Sequence, residues 1–265
     1  MKINILNSFG KDVLIYSASD FITKIIAFVV VPFYAAYLGP TLLGSLDLIS
    51  ITISLISMIG ICGMNNSLSR FFWEYKSGMD YQIKMYSTGL IFVLVLNIAI
   101  YTICATFLYI NQSEIFSNLD VDKNFLFIAL LLMPLSNLFT YSQTMLRLRF
   151  KPIAFMFAGI IGFSIPPIVA TLLMLFYSLK LEAIFLSSII FLFLGNLFLI
   201  WLNRGYLKVV FDKDTFKEFF YYGSPFIFTG LAYWVFTSLD RYLISYFMSV
   251  SDVGVYSISS KIALI

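Results

Sequence analysis

Histidine is absent from this 265-residue chain, and only 12% of its residues are charged. Without histidine the chain cannot form a Ser-His-Asp triad, a histidine metal site or an imidazole proton relay. Its two cysteines, Cys62 and Cys104, lie in separate apolar segments without a CxxC motif, so they are predicted to be free thiols. We therefore expect no metal, no cofactor and no enzymatic activity.

Apolar residues, by contrast, dominate the sequence. They make up 60% of the chain, and the mean hydropathy is +0.93, whereas a soluble domain carries about 25% charged residues. This composition indicates a polytopic membrane protein and gives no reason to expect a nucleic-acid partner. The first apolar stretch contains Asp20 and Lys24 and lacks a small-residue cleavage site, so it predicts a retained helix rather than a signal peptide.

A helix needs about 20 mostly apolar residues to cross a bilayer, and the sequence predicts seven such spans. Their ranges are 13–38, 43–68, 85–110, 124–146, 153–178, 183–202 and 225–249, and an eighth span begins near Val253. The predicted fold is an all-α, polytopic membrane helical bundle. It comprises one six-helix transporter lobe (1–202), a cytoplasmic linker (203–224) and the start of a second lobe (225–265).

The basic residues between these spans are distributed unevenly. Twelve Lys and Arg residues lie at the N-terminus and in the loops predicted on the same side, and only Lys123 and Lys180 lie in the opposite loops. The positive-inside rule therefore predicts a cytoplasmic N-terminus. Because the chain ends within its eighth predicted span, we also expect it to be part of a longer protein.

Two stretches of the chain share a layout. Gly44 and Gly254 both follow an apolar helix and a very short loop, and both open a new apolar helix. They lie 210 residues apart, although few other positions match at that offset. This layout predicts two parallel repeats related by an axis along the membrane normal, a plan that places a substrate site between the halves.

Four motifs follow one another along the chain: PFYAAYLGPTLLG (32–44), GMNNSLSRFFWEY (63–75), DKDTFKEFFYYGSP (212–225), and DRY (240–242) with GVY (254–256). Taken together in this order, they resemble the polysaccharide flippase branch of the multidrug/oligosaccharidyl-lipid/polysaccharide exporter superfamily, often called Wzx or O-antigen translocases. The resemblance implies two helical lobes and a location in the bacterial plasma membrane. It also implies transfer of undecaprenyl-diphosphate-linked oligosaccharides between leaflets for surface polysaccharide such as lipopolysaccharide. The implied partners are that lipid-linked substrate, membrane lipid and other polysaccharide-assembly proteins.

Charged residues in the first span are the first candidates for a site. Tyr16, Asp20 and Lys24 lie on one helical stripe, and each charge costs about 2.5–3.5 kcal/mol at the centre of a membrane helix. One interpretation is a self-neutralised structural pair between Asp20 and Lys24. The other is that Lys24 binds a diphosphate or an acidic sugar while Asp20 tunes it.

The seventh span carries a second set, Tyr233, Asp240 and Arg241. Arginine suits phosphate because its planar fork donates two parallel hydrogen bonds. Substrate binding by Arg241, an interhelical clamp and snorkelling to the interface remain open. Arg70 lies beside Trp73 and Glu74 at the predicted cytoplasmic end of the second span, where it predicts either an interfacial anchor or a cytoplasmic gate.

Three other functions remain as alternatives. A cation-coupled drug exporter of the same superfamily would be expected to carry a membrane carboxylate not matched to a cation. A membrane acyltransferase or polymerase would be expected to carry a histidine or a large outer loop, and the sequence has neither. A noncatalytic subunit or a nonfunctional transporter fragment would fit the short chain.

Overall fold

The computed structural model describes residues 2–74, 78–111 and 123–263, and every regular element in those ranges is helical. The elements are α1 (Lys2–Ile61), α2 (Met64–Phe71), α3 (Met79–Ile110), α4 (Lys123–Leu130), α5 (Leu132–Leu148), α6 (Pro152–Gly159), a π-helical turn (Ile160–Ser164), α7 (Ile165–Tyr177), α8 (Leu181–Asn203), a 3₁₀ turn (Arg204–Tyr206), α9 (Lys213–Gly223), α10 (Pro225–Phe247) and α11 (Val250–Ala263). The predicted all-α helical membrane bundle is confirmed.

Five helical stretches of the described ranges are long and apolar enough to cross a membrane: Asp12–Ile61, Met79–Ile110, Phe125–Leu148, Pro152–Tyr177 and Leu181–Tyr206. The first of these stretches covers the first predicted span and most of the second, and α1 kinks between the two at Gly39. Gly39 has φ 69° and ψ 171°, a conformation open essentially only to glycine, and Pro40 follows it without a backbone N–H. We call residues 2–38 and 40–61 the first and second arms of α1.

Two predicted spans differ from the observed helices. The span predicted at 43–68 is interrupted, because Cys62 and Gly63 adopt left-handed conformations that end α1 and start α2. A Cβ at Gly63 would lie 2.1 Å from the carbonyl oxygen of Gly223, so the break lets α9 pack closely there. The span predicted at 225–249 forms α10, which is not among the five apolar stretches because Asp240 and Arg241 lower its hydropathy.

The buried side-chain amides of Asn97 in α3 and Asn137 in α5 hydrogen-bond to the second arm. Asn97 Nδ2 donates to the carbonyl of Gly60 at 2.9 Å, and Asn137 Nδ2 donates to Asn97 Oδ1 at 2.7 Å. A Cβ at Gly60 would lie 2.6 Å from both side chains, so only glycine admits them. The network fixes the orientation of Asn137, because both of its amide hydrogens are taken: Nδ2 also donates to the carbonyl of Ser57.

The predicted linker is held against the first six spans rather than extended. The backbone N–H groups of Lys208 and Asp212 donate to Ser87 Oγ and Thr88 Oγ1, each at 3.0 Å. Ser67 Oγ in turn donates to the carbonyl of Phe219 in α9 at 2.7 Å. The division of the chain at 203–224 remains a prediction, but this segment is structurally part of the bundle.

Candidate functional site

Two adjoining clefts run between the arms of α1 and the helices α5 to α8, and both are lined by Phe163. The smaller, which we call the charged cleft, has a volume of about 400 Å³ and is lined by Ser19, Asp20, Thr23, Lys24, Gln143, Phe155, Gly159 and Phe163. The larger, the hydroxyl cleft, has a volume of about 450 Å³. Its polar side chains are those of Ser50, Ser54, Ser57, Ser136, Asn137, Thr140 and Ser188.

Helical periodicity produces this polar lining. Ser50, Ser54 and Ser57 lie four and three residues apart on the second arm, so they share one face of that arm. The same periodicity aligns one face of α5, with Ser136, Asn137, Thr140 and Gln143. The first three of these residues line the hydroxyl cleft, and Gln143 lines the charged cleft. No charged residue of the described ranges lines the hydroxyl cleft, so it was not predicted, and its only sequence signal is serine and threonine at helical spacing in apolar segments.

The wall formed by the π-helical turn also contributes backbone polarity. Pro166 and Pro167 have no N–H groups, so the carbonyl of Gly162 finds no donor at either the i+4 or the i+5 position. Gly162, Phe163 and both prolines line the hydroxyl cleft. In lipid such a carbonyl is costly, and it is tolerated where the backbone lines a polar cavity.

Asp20 and Lys24 both line the charged cleft, and both side chains are exposed. Both lie in the described part of the chain, and they form no ion pair there, so the self-neutralised pair is not present in this conformation. Tyr16 lies one turn away, with its ring edge-on to Phe155 at 5.1 Å and its buried hydroxyl without a partner among the described residues. Substrate binding by these three residues remains a prediction.

Arg241 does not line either cleft and instead lies in a charge cluster with the buried Asp47. Its Nε lies 2.7 Å from Asp47 Oδ2, as an ion pair without the geometry of a directed hydrogen bond. Lys261 Nζ lies 3.5 Å from Asp47 Oδ1. The guanidinium also donates to the carbonyl of Thr237 and to Ser260 Oγ. These contacts join α10 and α11 to the second arm, and the choice among substrate binding, a clamp and snorkelling remains a prediction.

Asp240 and Tyr233 are placed differently around that cluster. Asp240 lies 3.3 Å from Arg241 and accepts a hydrogen bond from the hydroxyl of Tyr256, while Tyr233 is exposed. Asp47 was not among the predicted site residues. It is the only charged residue of the second arm, and its two cations come from α10 and α11. The missed signal was a membrane carboxylate without a cation within one turn of its own helix.

The two glycines of the predicted repeat meet beside this cluster. A Cβ at Gly44 would lie 1.8 Å from the carbonyl oxygen of Val250, and one at Gly254 would lie 1.9 Å from that of Pro40. Because Pro40 and Val250 are also 210 residues apart, the two contacts are reciprocal. A two-fold relation between the helix pairs would produce this exchange.

Arg70 lies on α2, which follows the end of the second arm opposite Gly39. Its guanidinium lies 3.3 Å from Glu74, one helical turn away, and 5.9 Å from the ring centroid of Phe71. Both partners of this ion pair are well exposed, so it adds little stability. These contacts fit an interfacial anchor, and the gate role remains a prediction.

Comparison with known proteins supplies one match. A family model described as polysaccharide biosynthesis protein matches residues 9–265, nearly the whole chain. Neither the curated proteins nor the solved structures contain a significant match.

Proposed function

The chain belongs to the polysaccharide biosynthesis protein family, and we propose that it translocates undecaprenyl-diphosphate-linked oligosaccharides across the bacterial plasma membrane. The oligosaccharides would serve surface polysaccharide such as O-antigen, and the protein would act as a flippase rather than an enzyme. Its N-terminus would be cytoplasmic, as the positive-inside rule predicts. Two observations support this assignment: the family match, and a helical bundle with five apolar stretches long enough to span a membrane.

The adjoining clefts are the observation that supports the proposal best. Lys24 presents an ammonium group that no described carboxylate neutralises, and an ammonium suits a diphosphate. The hydroxyl cleft beside it presents the neutral oxygens that bind sugar hydroxyls. A substrate with a diphosphate next to a saccharide thus matches the order of the two clefts.

Alternating access requires a closed side, and the Gly39 end of the bundle supplies a candidate. We propose that the reciprocal glycine contact and the Asp47 cluster close the outer face between the first lobe and the second. Arg241 then acts as a clamp in this conformation, because its guanidinium is occupied by Asp47, Thr237 and Ser260. Arg70 would anchor or gate the cytoplasmic face.

One observation favours a second candidate, a cation-coupled small-molecule exporter. Asp20 is an exposed carboxylate of a membrane helix without an ion-pair partner among the described residues. Such a carboxylate is the mark expected of that class. Transport of a small organic cation driven by a sodium or proton gradient, without movement of a lipid-linked sugar, would establish this alternative.

The test is a flipping assay on the chain reconstituted in vesicles. The probe is an NBD-labelled polyprenyl diphosphate carrying glucose, and dithionite reports how much of it reaches the outer leaflet. We expect flipping well above that of protein-free vesicles, slowed about tenfold or more by Lys24→Gln, because a charge-assisted contact is lost. Lys24→Arg should retain part of the rate.

The matched control is Lys208→Gln, which removes an exposed lysine of the linker and should leave the rate unchanged. Equal rates with and without protein would contradict the proposed function. Equal loss in Lys24→Gln and Lys208→Gln would instead indicate a general electrostatic effect.

A further inference from the structure

The hydroxyl cleft has an unusual hydrogen-bond polarity. Five of its hydroxyl groups donate to a carbonyl of their own helix at 2.7–3.1 Å: Ser50 to Leu46, Ser54 to Ile51, Ser136 to Met133, Thr140 to Asn137 and Ser188 to Ile184. A hydroxyl carries one hydrogen and two lone pairs. With the hydrogen directed to the helix, each of these groups offers the cleft only acceptor capacity.

The carboxamide of Asn137 is oriented in the same sense. Its Nδ2 is committed to Asn97 and to the carbonyl of Ser57, while Asn97 Nδ2 is committed to the carbonyls of Gly60 and Val93. Neither amide can be exchanged end for end without breaking this chain of bonds. Asn137 is only 5% exposed, and its Oδ1 accepts no hydrogen bond from any described residue, so it is left as an acceptor in the cleft.

The backbone and the neighbouring helix add no donors. Pro166 and Pro167 line the cleft and have no backbone N–H to donate. Trp234 Nε1 at the edge is committed to the carbonyl of Ile51 at 3.0 Å and to Ser54 Oγ at 3.1 Å. Among the lining side chains, only the Ser57 hydroxyl has no such bond within the described ranges, and none of the lining residues is Lys or Arg.

We propose that the hydroxyl cleft selects a neutral, hydroxyl-rich sugar and rejects an acidic sugar at the position next to the diphosphate. This inference rests on the proposed function. A neutral hexose brings hydroxyl donors to the waiting lone pairs, whereas a carboxylate brings only acceptors and would be desolvated opposite them. A site discriminates strongly against a ligand that leaves buried polar groups unpaired, and less strongly against one that differs only in size.

Lys24 does not relieve this mismatch. It lines the charged cleft and not the hydroxyl cleft, with Phe163 in the wall that the two share. When a diphosphate occupies Lys24, a carboxylate on the adjoining sugar faces the acceptor-lined cleft. The hydroxyl cleft would therefore select the charge of the sugar independently of the diphosphate that Lys24 binds.

The experiment compares three NBD-labelled probes on the reconstituted chain: polyprenyl diphosphate alone, its glucose derivative and its glucuronic acid derivative. We expect the glucose probe to bind about tenfold or more tightly than the glucuronate probe at neutral pH, because the carboxylate meets few hydrogen-bond donors in the cleft. Binding of the bare diphosphate should depend on Lys24. Equal affinity for the two sugar probes, or preference for glucuronate, would overturn the inference.

Two substitutions at one position sharpen the test. Thr140→Val preserves shape and removes an acceptor, so it should weaken the glucose probe several-fold and leave the bare diphosphate unchanged. Thr140→Lys supplies a donor and should shift preference toward glucuronate. Thr171→Val is the matched control, because its hydroxyl bonds to the Pro167 carbonyl and it does not line the cleft.

The probes separate the two claims. If the bare diphosphate fails to bind, the proposed function is wrong. If it binds through Lys24 but the sugar probes are not distinguished, the proposed function stands and the selectivity is wrong. The comparison of probes on the unmodified chain does not depend on whether either Thr140 variant folds.

Discussion

The molecule contains two groups of membrane-embedded charges that differ in almost every physical respect. Asp20 and Lys24 are exposed in a cleft and form no ion pair with each other. Asp47 is buried and lies 2.7 Å from Arg241, whose side chain is 13% exposed, and the exposed Lys261 is the second cation on Asp47. The same residue types thus occupy a cavity in one region and fasten helices together in the other.

Physical chemistry explains why the two groups have different roles. A charge in the membrane is tolerated if it is paired or if it faces a water-filled cavity. Removing one partner of a buried pair leaves the other charge uncompensated and costs about 3–5 kcal/mol. Removing an exposed charge costs little stability, so its effect falls on whatever binds there.

Breaking the buried group should have the largest effect on stability. Asp47→Asn leaves the 13% exposed Arg241 side chain with only the more exposed Asp240 as a carboxylate partner, and it should lower the free energy of unfolding by about 3–5 kcal/mol. Equilibrium unfolding in detergent micelles measures the loss. The double variant Asp47→Leu with Arg241→Met should recover most of it, because both members of the closest ion pair are removed together. Additive losses in the double variant would show that the two residues do not form a clamp.

The reciprocal glycine contact should give the next effect. A Cβ at Gly254 would lie 1.9 Å from the carbonyl oxygen of Pro40, so Gly254→Ala must separate the helices. Overpacking of this kind costs about 1–3 kcal/mol, and thermal unfolding should report it. Gly205→Ala is the control, because a Cβ at Gly205 would meet no neighbouring atom within 4 Å. Equal melting temperatures for the two variants would contradict the close contact.

A smaller effect is expected at the cap of α9, outside both charged groups. Thr215 donates through its hydroxyl at 2.7 Å and its backbone N–H at 3.0 Å to Asp212 Oδ2. These bonds hold the pKa of Asp212 below its usual range. Asp212→Ala should destabilise α9 by about 0.5–2 kcal/mol, and Asp212→Asn should retain most of the cap.

The lowered pKa of Asp212 also fixes the pH dependence of this cap. Its stabilisation is fully present above the unfolded carboxyl pKa of about 3.9 and is lost as the pH falls through the lower folded value. Hydrogen exchange of residues 213–223 should therefore show a protection free energy that does not change between about pH 5 and pH 8. A loss of protection within that window, or faster exchange in Asp212→Asn than in Asp212→Ala, would exclude the cap.

The fold followed from the sequence where local rules decide it. Apolar length predicted the membrane helices, and the gap between the first two predicted spans contains the kink at Gly39 and Pro40. The left-handed break at Cys62 and Gly63 was missed, because the predicted span 43–68 runs through it. The neighbour that packs against Gly63 is the backbone of Gly223, 160 residues away in the sequence. The packing of α9 on α2 and α3 was missed for the same reason.

The site was predictable only in part. Lys24 and Asp20 were found because charges are rare in apolar segments. Asp47 was not predicted as a site residue, because its partners lie on helices that only the fold brings together. The acceptor character of the hydroxyl cleft depends on where each hydroxyl hydrogen is directed, and no sequence pattern records that direction.

The most direct test of the two-group account uses Lys24→Gln and Asp47→Asn, each measured for unfolding free energy and for flipping of the polyprenyl diphosphate glucose probe. We predict that Lys24→Gln changes the unfolding free energy by no more than about 0.5 kcal/mol while slowing flipping about tenfold or more. Asp47→Asn should show the large loss of stability. A Lys24→Gln protein that is strongly destabilised, or equally stable and fully active, would contradict the claim that the exposed group serves transport.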